Sequence, residues 1–280
     1  MGLIADYMGQ SGKMTWDEAA AYVADGDTWG VANHTKAHKQ SSFASLSAAE
    51  LETEINGGRA ALRQHFPTEK ILGLYTPGGI TSSQIVQKAA EQHACLRLAG
   101  GGNNPLPMTE SGLYSLSARA VGNWVNTTAA QMNGWLDSAI SGGEWLVEMW
   151  HGIGENDAAG WGGNISEAAA NTHLEYVAQK NNEGLIWVTT LDEACVYAMQ
   201  RLKSRLSLLK KTDSSITFVL TDDLDDTLYD AALTVNIILP DGWTNAAASQ
   251  NGQMLKTTVA EGRLSLTIRP DSGSVTVTKQ

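Results

Sequence analysis

Ile71-Leu72-Gly73-Leu74-Tyr75-Thr76-Pro77-Gly78-Gly79-Ile80-Thr81-Ser82-Ser83-Gln84-Ile85-Val86 decides the fold class. An apolar run of strand length stops at a Pro-Gly-Gly turn. Thr81 or Ser82 then caps a helix whose apolar stripe is Ile85, Val86 and Ala89. Upstream, a helix end near Tyr22 leads through the turn Asp25-Gly26-Asp27 into a short strand, Thr28 to Ala32. Ser47 and Glu50 make a capping box, and Leu51, Ile55 and Leu62 follow near helical spacing. Downstream, Ala94–Leu98 reads as strand, Gly100–Pro105 as loop and Gln131–Ile140 as helix. Trp145–Trp150 reads as strand, Ser166–Lys180 as a capped helix, Leu185–Thr189 as strand, and Asp192 opens a helix to about Leu206. Such alternation predicts a parallel sheet wrapped by helices, open or barrel-like.

The pattern changes near Leu208-Leu209-Lys210-Lys211, where a boundary is expected. Beyond it come only β-type runs: Ser215–Leu220, Leu233–Leu239, Met254–Val259, Leu264–Ile268 and Ser274–Thr278. Short strands separated by Gly- and Pro-containing turns predict a small β-sandwich over 209–280. Trp243 is expected to pack beneath a hairpin rather than to stack on a ligand.

The 280 residues carry 30 acidic and 19 basic side chains, a net charge of −11. Hydrophobic residues make up 42%, the profile of a globular chain. So acidic a surface excludes nucleic acid as a partner, because phosphate docking needs local positive charge. No run is apolar enough to span a bilayer, and Met1–Asp6 shows neither the basic nor the apolar part of a signal peptide. Nine tryptophans against three phenylalanines hint at a carbohydrate-facing protein. Cys95 and Cys195 form either a disulfide or two buried thiols, and buried thiols are the expectation.

Three local signals carry chemistry. In Asn33-His34-Thr35-Lys36-Ala37-His38 the two imidazoles, four apart, are expected to share one side of a helical turn. A pair so placed suits zinc, with cobalt or nickel as alternatives, though solvent-facing histidines share the spacing. His151 ends the strand Trp145–Trp150, where parallel α/β folds place reactive groups, and a histidine there can serve as a general acid. Tyr75 to Gly79 is a rigid turn at another strand end, either an oxyanion site or an ordinary connection.

Taken in order, these signals resemble the polysaccharide deacetylase (NodB-homology, carbohydrate esterase) family. His34-Thr35-x-x-His38 matches its H-[ST]-x-x-H metal motif, His151-Gly152-Ile153 resembles its last motif, and Pro77-Gly78-Gly79 resembles its proline turn. The resemblance implies an α/β architecture with a distorted (β/α) barrel over 1–208. It also implies metal-dependent removal of N- or O-acetyl groups from a glycan, in a secreted or periplasmic setting. His34 and His38 would be metal ligands and His151, as imidazolium, the acid. Tyr75, Pro77 and Gly78 would line the substrate turn, with Trp161 in a sugar-stacking wall.

The family opens with a strand ending T-F-D-D, which has no counterpart before His34, so the barrel is expected to be N-terminally incomplete. Tyr75 stands where many members carry an arginine. Thr221-Asp222-Asp223 mimics the lost motif but is read as an acidic turn. The alternative function is a non-catalytic glycan-binding relative of such enzymes.

Overall fold

The computed structural model describes residues 1–24, 29–155 and 162–280. The turn Asp25-Gly26-Asp27, the first residue of the expected strand at Thr28, and Trp161 lie outside the described residues. The chain divides into two units, Met1–Cys195 and Val196–Gln280. The division falls ahead of the expected 208, inside the helix α8 (Leu191–Lys203).

In the first unit, β1 (Gly2–Leu3), β2 (Ala32–Asn33), β3 (Gly73–Tyr75) and β4 (Cys95–Arg97) form a parallel sheet in chain order. A parallel bridge from Arg97 to Leu116 leads on toward β5 (Arg119–Ala120), which pairs with β6 (Glu148–Met149). β7 (Gly152–Ile153) then pairs with β8 (Asn164–Ile165). Chain-order parallel strands are what a barrel needs. Here, among the described residues, they fall into separate pieces and no ladder returns to β1. The expected strand Leu185–Thr189 is absent for the same reason. Among the described residues no strand pairs with this segment, and Leu185, Trp187 and Val188 are 52%, 62% and 56% exposed.

The helices begin where their capping residues sit. Ser47 and Glu50 close the expected capping box ahead of α2 (Ala48–Leu51), and a π-turn (Glu52–Asn56) continues into α3 (Gly57–His65). Ser82 caps the helix Ser83–Ala90, and Ser166 caps Glu167–Asn182. Leu51, Ile55 and Leu62 are buried, as their spacing requires.

Cys95 and Cys195 are joined in a disulfide, correcting the expectation of free thiols. A separation of 100 residues carries no information about a Cα–Cα distance of 5.9 Å. One turn earlier on α8, Asp192 accepts hydrogen bonds from the Leu72 and Gly73 amides, both 2.7 Å. Asp192 and Cys195 thus tie the start of α8 to β3 and β4.

His93 is buried beside this sheet. Its Nε2 lies 3.0 Å from the Asn33 amide nitrogen and its Nδ1 3.3 Å from the Ala89 carbonyl, a pattern satisfied by the neutral ring with the proton on Nδ1. Burial, with the Arg59 charge adding to it, pushes its pKa down to about 3. An unfolded histidine titrates near 6.5. Below that pH the unfolded chain binds a proton that the folded chain refuses, so this stability is full above about 6.5 and drains as pH falls toward 3. Urea unfolding at pH 7.5 and 4.5 should show a loss of about 2–3 kcal/mol, at ~1.4 kcal/mol per unit, and a shallower loss in His93→Gln. Equal losses in the two proteins would exclude this cause.

In the second unit, β9 (Arg205–Lys211), β10 (Ser215–Thr221), β11 (Leu233–Ile238), β12 (Ala246–Gln250), β13 (Gln253–Met254), β14 (Thr257–Ala260), β15 (Arg263–Ile268) and β16 (Val275–Lys279) are all antiparallel. They form sheets ordered β13-β12-β16-β10-β9 and β11-β15-β14, which share a core including Phe218, Leu264, Val275 and Val277. β10 alternates buried and half-buried residues along its length, the period of a one-sided strand. Trp243 packs in this core and donates its indole N–H to the Asp213 carbonyl, as expected. Residues expected as the end of a helix and a linker are instead the edge strand β9, exposed throughout and held by main-chain pairing to β10. β12, rich in alanine, was not legible as a strand. The Asp222-Asp223 segment is a turn, with the Asp222 carboxylate accepting the Leu224 amide.

Candidate active site

His34 follows β2 directly, but the segment 34–38 is not helical. Thr35 and His38 both take left-handed conformations, with φ of 65° and 54°. Both cost strain for residues with a Cβ, and the neighbouring side chains hold them there. Asn33 Oδ1 accepts the Thr35 amide at 3.0 Å, Thr35 Oγ1 accepts the His38 amide at 3.2 Å, and Glu54 Oε2 accepts the Ala37 amide at 3.0 Å. Side chains therefore take the amide hydrogens that a helical turn would bond internally, which overturns the helical expectation. The rings still meet: His34 and His38 have centroids 4.6 Å apart, edge to face.

The π-turn underlies this arrangement. It presents the Glu54 carbonyl to the Lys36 amide at 2.8 Å and the Ile55 carbonyl to the Asn33 side chain at 2.8 Å. Inserted π-turns are common where a helix serves a site. Gly58, on the following helix, lies so close that an added Cβ would sit 2.9 Å from the Lys36 nitrogen. Glu54 went unnoticed in the sequence. Its side chain is only 1% exposed and its Oε1 is 3.7 Å from Lys39 Nζ.

His34 donates from Nδ1 to the Tyr75 carbonyl at 2.9 Å. That bond selects the tautomer in which Nε2 keeps its lone pair, the state of a metal-ligating histidine. Burial pushes the His34 pKa down to about 4, with smaller contributions from His38, Arg97 and His151, so the ring is neutral at pH 7. Burial lowers that of His38 too. The donor chemistry of the pair fits a divalent ion. Among the described residues, however, no Asp, Glu or Cys groups with them at ligand spacing. Asp6, the carboxylate next to the first strand, is held by Lys36 at 2.6 Å.

The His151 charge has a small effect on His34, so the end of β6 lies within electrostatic reach of the loop after β2. Burial, and then the Arg97 charge, lower its pKa. A lowered value favours the neutral ring at rest, from which it becomes an acid only after taking up a proton. The Tyr75 ring stacks on the guanidinium of its β4 neighbour Arg97, 4.2 Å from centroid to Cζ. Burial raises the Tyr75 hydroxyl to about 12, so it stays protonated. Pro77 opens a 3₁₀ turn in which Gly78 has φ 60° and ψ 13°. The Gly79 amide is bonded to the Thr76 carbonyl, leaving Gly78 as the oxyanion candidate of the turn. A separate cavity of about 420 Å³, lined by Trp29, Tyr75, Val188 and Asp192 among others, includes none of the three histidines.

No family model matches the chain. It is 26% identical, over 293 aligned residues, to a gellan lyase of a Bacillus species, covering 95% of this chain and 12% of that protein. The chain thus spans about an eighth of the length of this curated relative. Among solved structures, a polysaccharide deacetylase from Bacillus cereus is similar at 17% identity and TM-score 0.33, over 36% of this chain and 30% of that one. An alpha-fucosidase from Thermotoga maritima is similar at 11% identity and TM-score 0.36, over 95% of this chain and 67% of that one. By name, the proteins this chain resembles are carbohydrate-processing enzymes.

Proposed function

We propose that the chain is a metal-dependent hydrolase that removes N- or O-acetyl groups from a polysaccharide or oligosaccharide. The observation that carries this reading is the His34 Nδ1–Tyr75 carbonyl bond, which leaves Nε2 free beside His38 and within electrostatic reach of His151. His34 and His38 would hold the ion, zinc first, with cobalt or nickel as alternatives. The chemistry such an ion would supply is polarisation of the acyl carbonyl and a water whose pKa falls toward about 7. His151, neutral at rest, takes the proton of the attacking water and returns it to the departing amine or alkoxide. The amide of Gly78 would serve the developing oxyanion, and Tyr75 and Pro77 would line the substrate. The disulfide supports a secreted or periplasmic setting, because such bonds persist in oxidising compartments.

A second reading, a glycan-binding protein without catalysis, is favoured by the missing third ligand among the described residues. Competition with a chromophoric chelator and acetate release from acetylated oligosaccharides separate the two. The hydrolase should bind about one ion per chain, release acetate only when loaded, and lose both properties in His34→Ala. Glycan binding without metal or acetate supports the second reading. Depolymerisation without acetate overturns both.

A further inference from the structure

Arg97 has no place in the chemistry just described, yet it stacks on Tyr75 and its charge reaches two of the histidines. Its side chain is buried at the end of β4, and its charge acts on both His34 and His151. One face of the guanidinium is covered by the Tyr75 ring. Nη1 donates to the Leu98 carbonyl at 3.1 Å and approaches Met149 Sδ at 2.9 Å. Among the described residues no carboxylate pairs with it, and no acceptor meets Nε or Nη2. Neither of those atoms is fully buried without a partner, so each keeps a little accessible surface.

This is an unusual state for an arginine. Guanidinium does not give up its proton, so burial cannot be relieved by neutralising it. Nor is a shortage of acids the cause, since the chain has 30 acidic residues against 19 basic ones. The parallel register of Tyr75 with Arg97 explains the stacking. A stacked ring satisfies a face, however, and leaves the in-plane N–H groups of the open edge without acceptors. Two parallel N–H groups on a planar edge match a carboxylate in shape and charge.

We propose that Arg97 is an anion-binding residue of the histidine site and that its ligand is a carboxylate, brought either by acetate or by an acidic sugar of the glycan. The location rests on the reading of His34, His38 and His151 as one site, but the binding needs neither the metal nor turnover.

The test uses the full chain, labelled with ¹⁵N-arginine and kept in chelator. The Arg97 Nε–H signal is followed while sodium acetate, sodium glucuronate or neutral glucose is added at constant ionic strength. Saturable shifts with acetate alone assign the subsite to the acyl group. Shifts with glucuronate alone assign it to the sugar. Arg97→Lys, which keeps the charge but loses the fork, should bind on the order of tenfold more weakly, one charge-assisted hydrogen bond's worth. Arg97→Met should not bind. If Arg97→Met fails to fold, the wild-type signal decides alone. No saturable shift with either carboxylate, or unchanged affinity in Arg97→Met, overturns the inference. Carboxylate binding in a chain that never releases acetate upholds it while sinking the hydrolase reading.

Discussion

His151→Ala is expected to lose about 10²- to 10⁴-fold in kcat for acetate release, the usual worth of a positioned proton-transfer group, while still binding one ion as tightly as the wild type. The separation follows from where the ring sits. His151 follows β6, whereas the proposed ligands lie on the loop after β2, and the His34 Nδ1 bond goes to Tyr75 rather than to His151. Removing the imidazole therefore leaves the ligand pair, its tautomer and its supporting bonds unchanged. The pH dependence provides a second readout. Because burial and Arg97 depress the His151 pKa, and burial takes His34 down to about 4, both rings remain neutral below the ordinary histidine value. Wild-type kcat/KM should accordingly hold as pH falls past about 6.5 and drop only when these lowered values are reached. Undiminished acetate release in His151→Ala would remove the residue from the mechanism. Loss of the ion together with activity would make its role structural.

The double variant Cys95→Ala/Cys195→Ala should lose about 4–5 kcal/mol of stability, the loop-closure value for a ring of roughly 100 residues. Both cysteines are fully buried and the bond joins β4 to α8 across 100 residues of chain. The nearby Asp192 contacts run through the same turn and weaken with it. Urea titration of the variant against the oxidised wild type measures the difference. An unchanged midpoint would mean that the reduced chain keeps the same constraint by packing alone. A drop of this size would leave the first unit marginal, given typical domain stabilities of about 5–15 kcal/mol.

Much of this molecule is legible from neighbours in the chain. The strands at Leu74 and Cys95, the caps Ser47, Ser82 and Ser166, and the alternation along Ser215–Leu220 are written in local periodicity and capping chemistry, which act over a few residues. The order of His34, His38, Tyr75 and His151 along the chain is likewise a property of sequence. The conformation of the histidine loop is not, because its left-handed residues are imposed by Glu54, across 17 residues, as well as by local hydrogen bonds. The failure of Leu185–Thr189 to become a strand, and the success of Arg205–Lys211, depend on whether another strand lies alongside to accept their amides. The pairing of Cys95 with Cys195 and the placing of Arg97 within electrostatic reach of two histidines have the same origin. Propensity and pattern decide which elements form, but a buried charge, a disulfide or a ladder acquires its partner only when distant segments meet, and that meeting is a tertiary event.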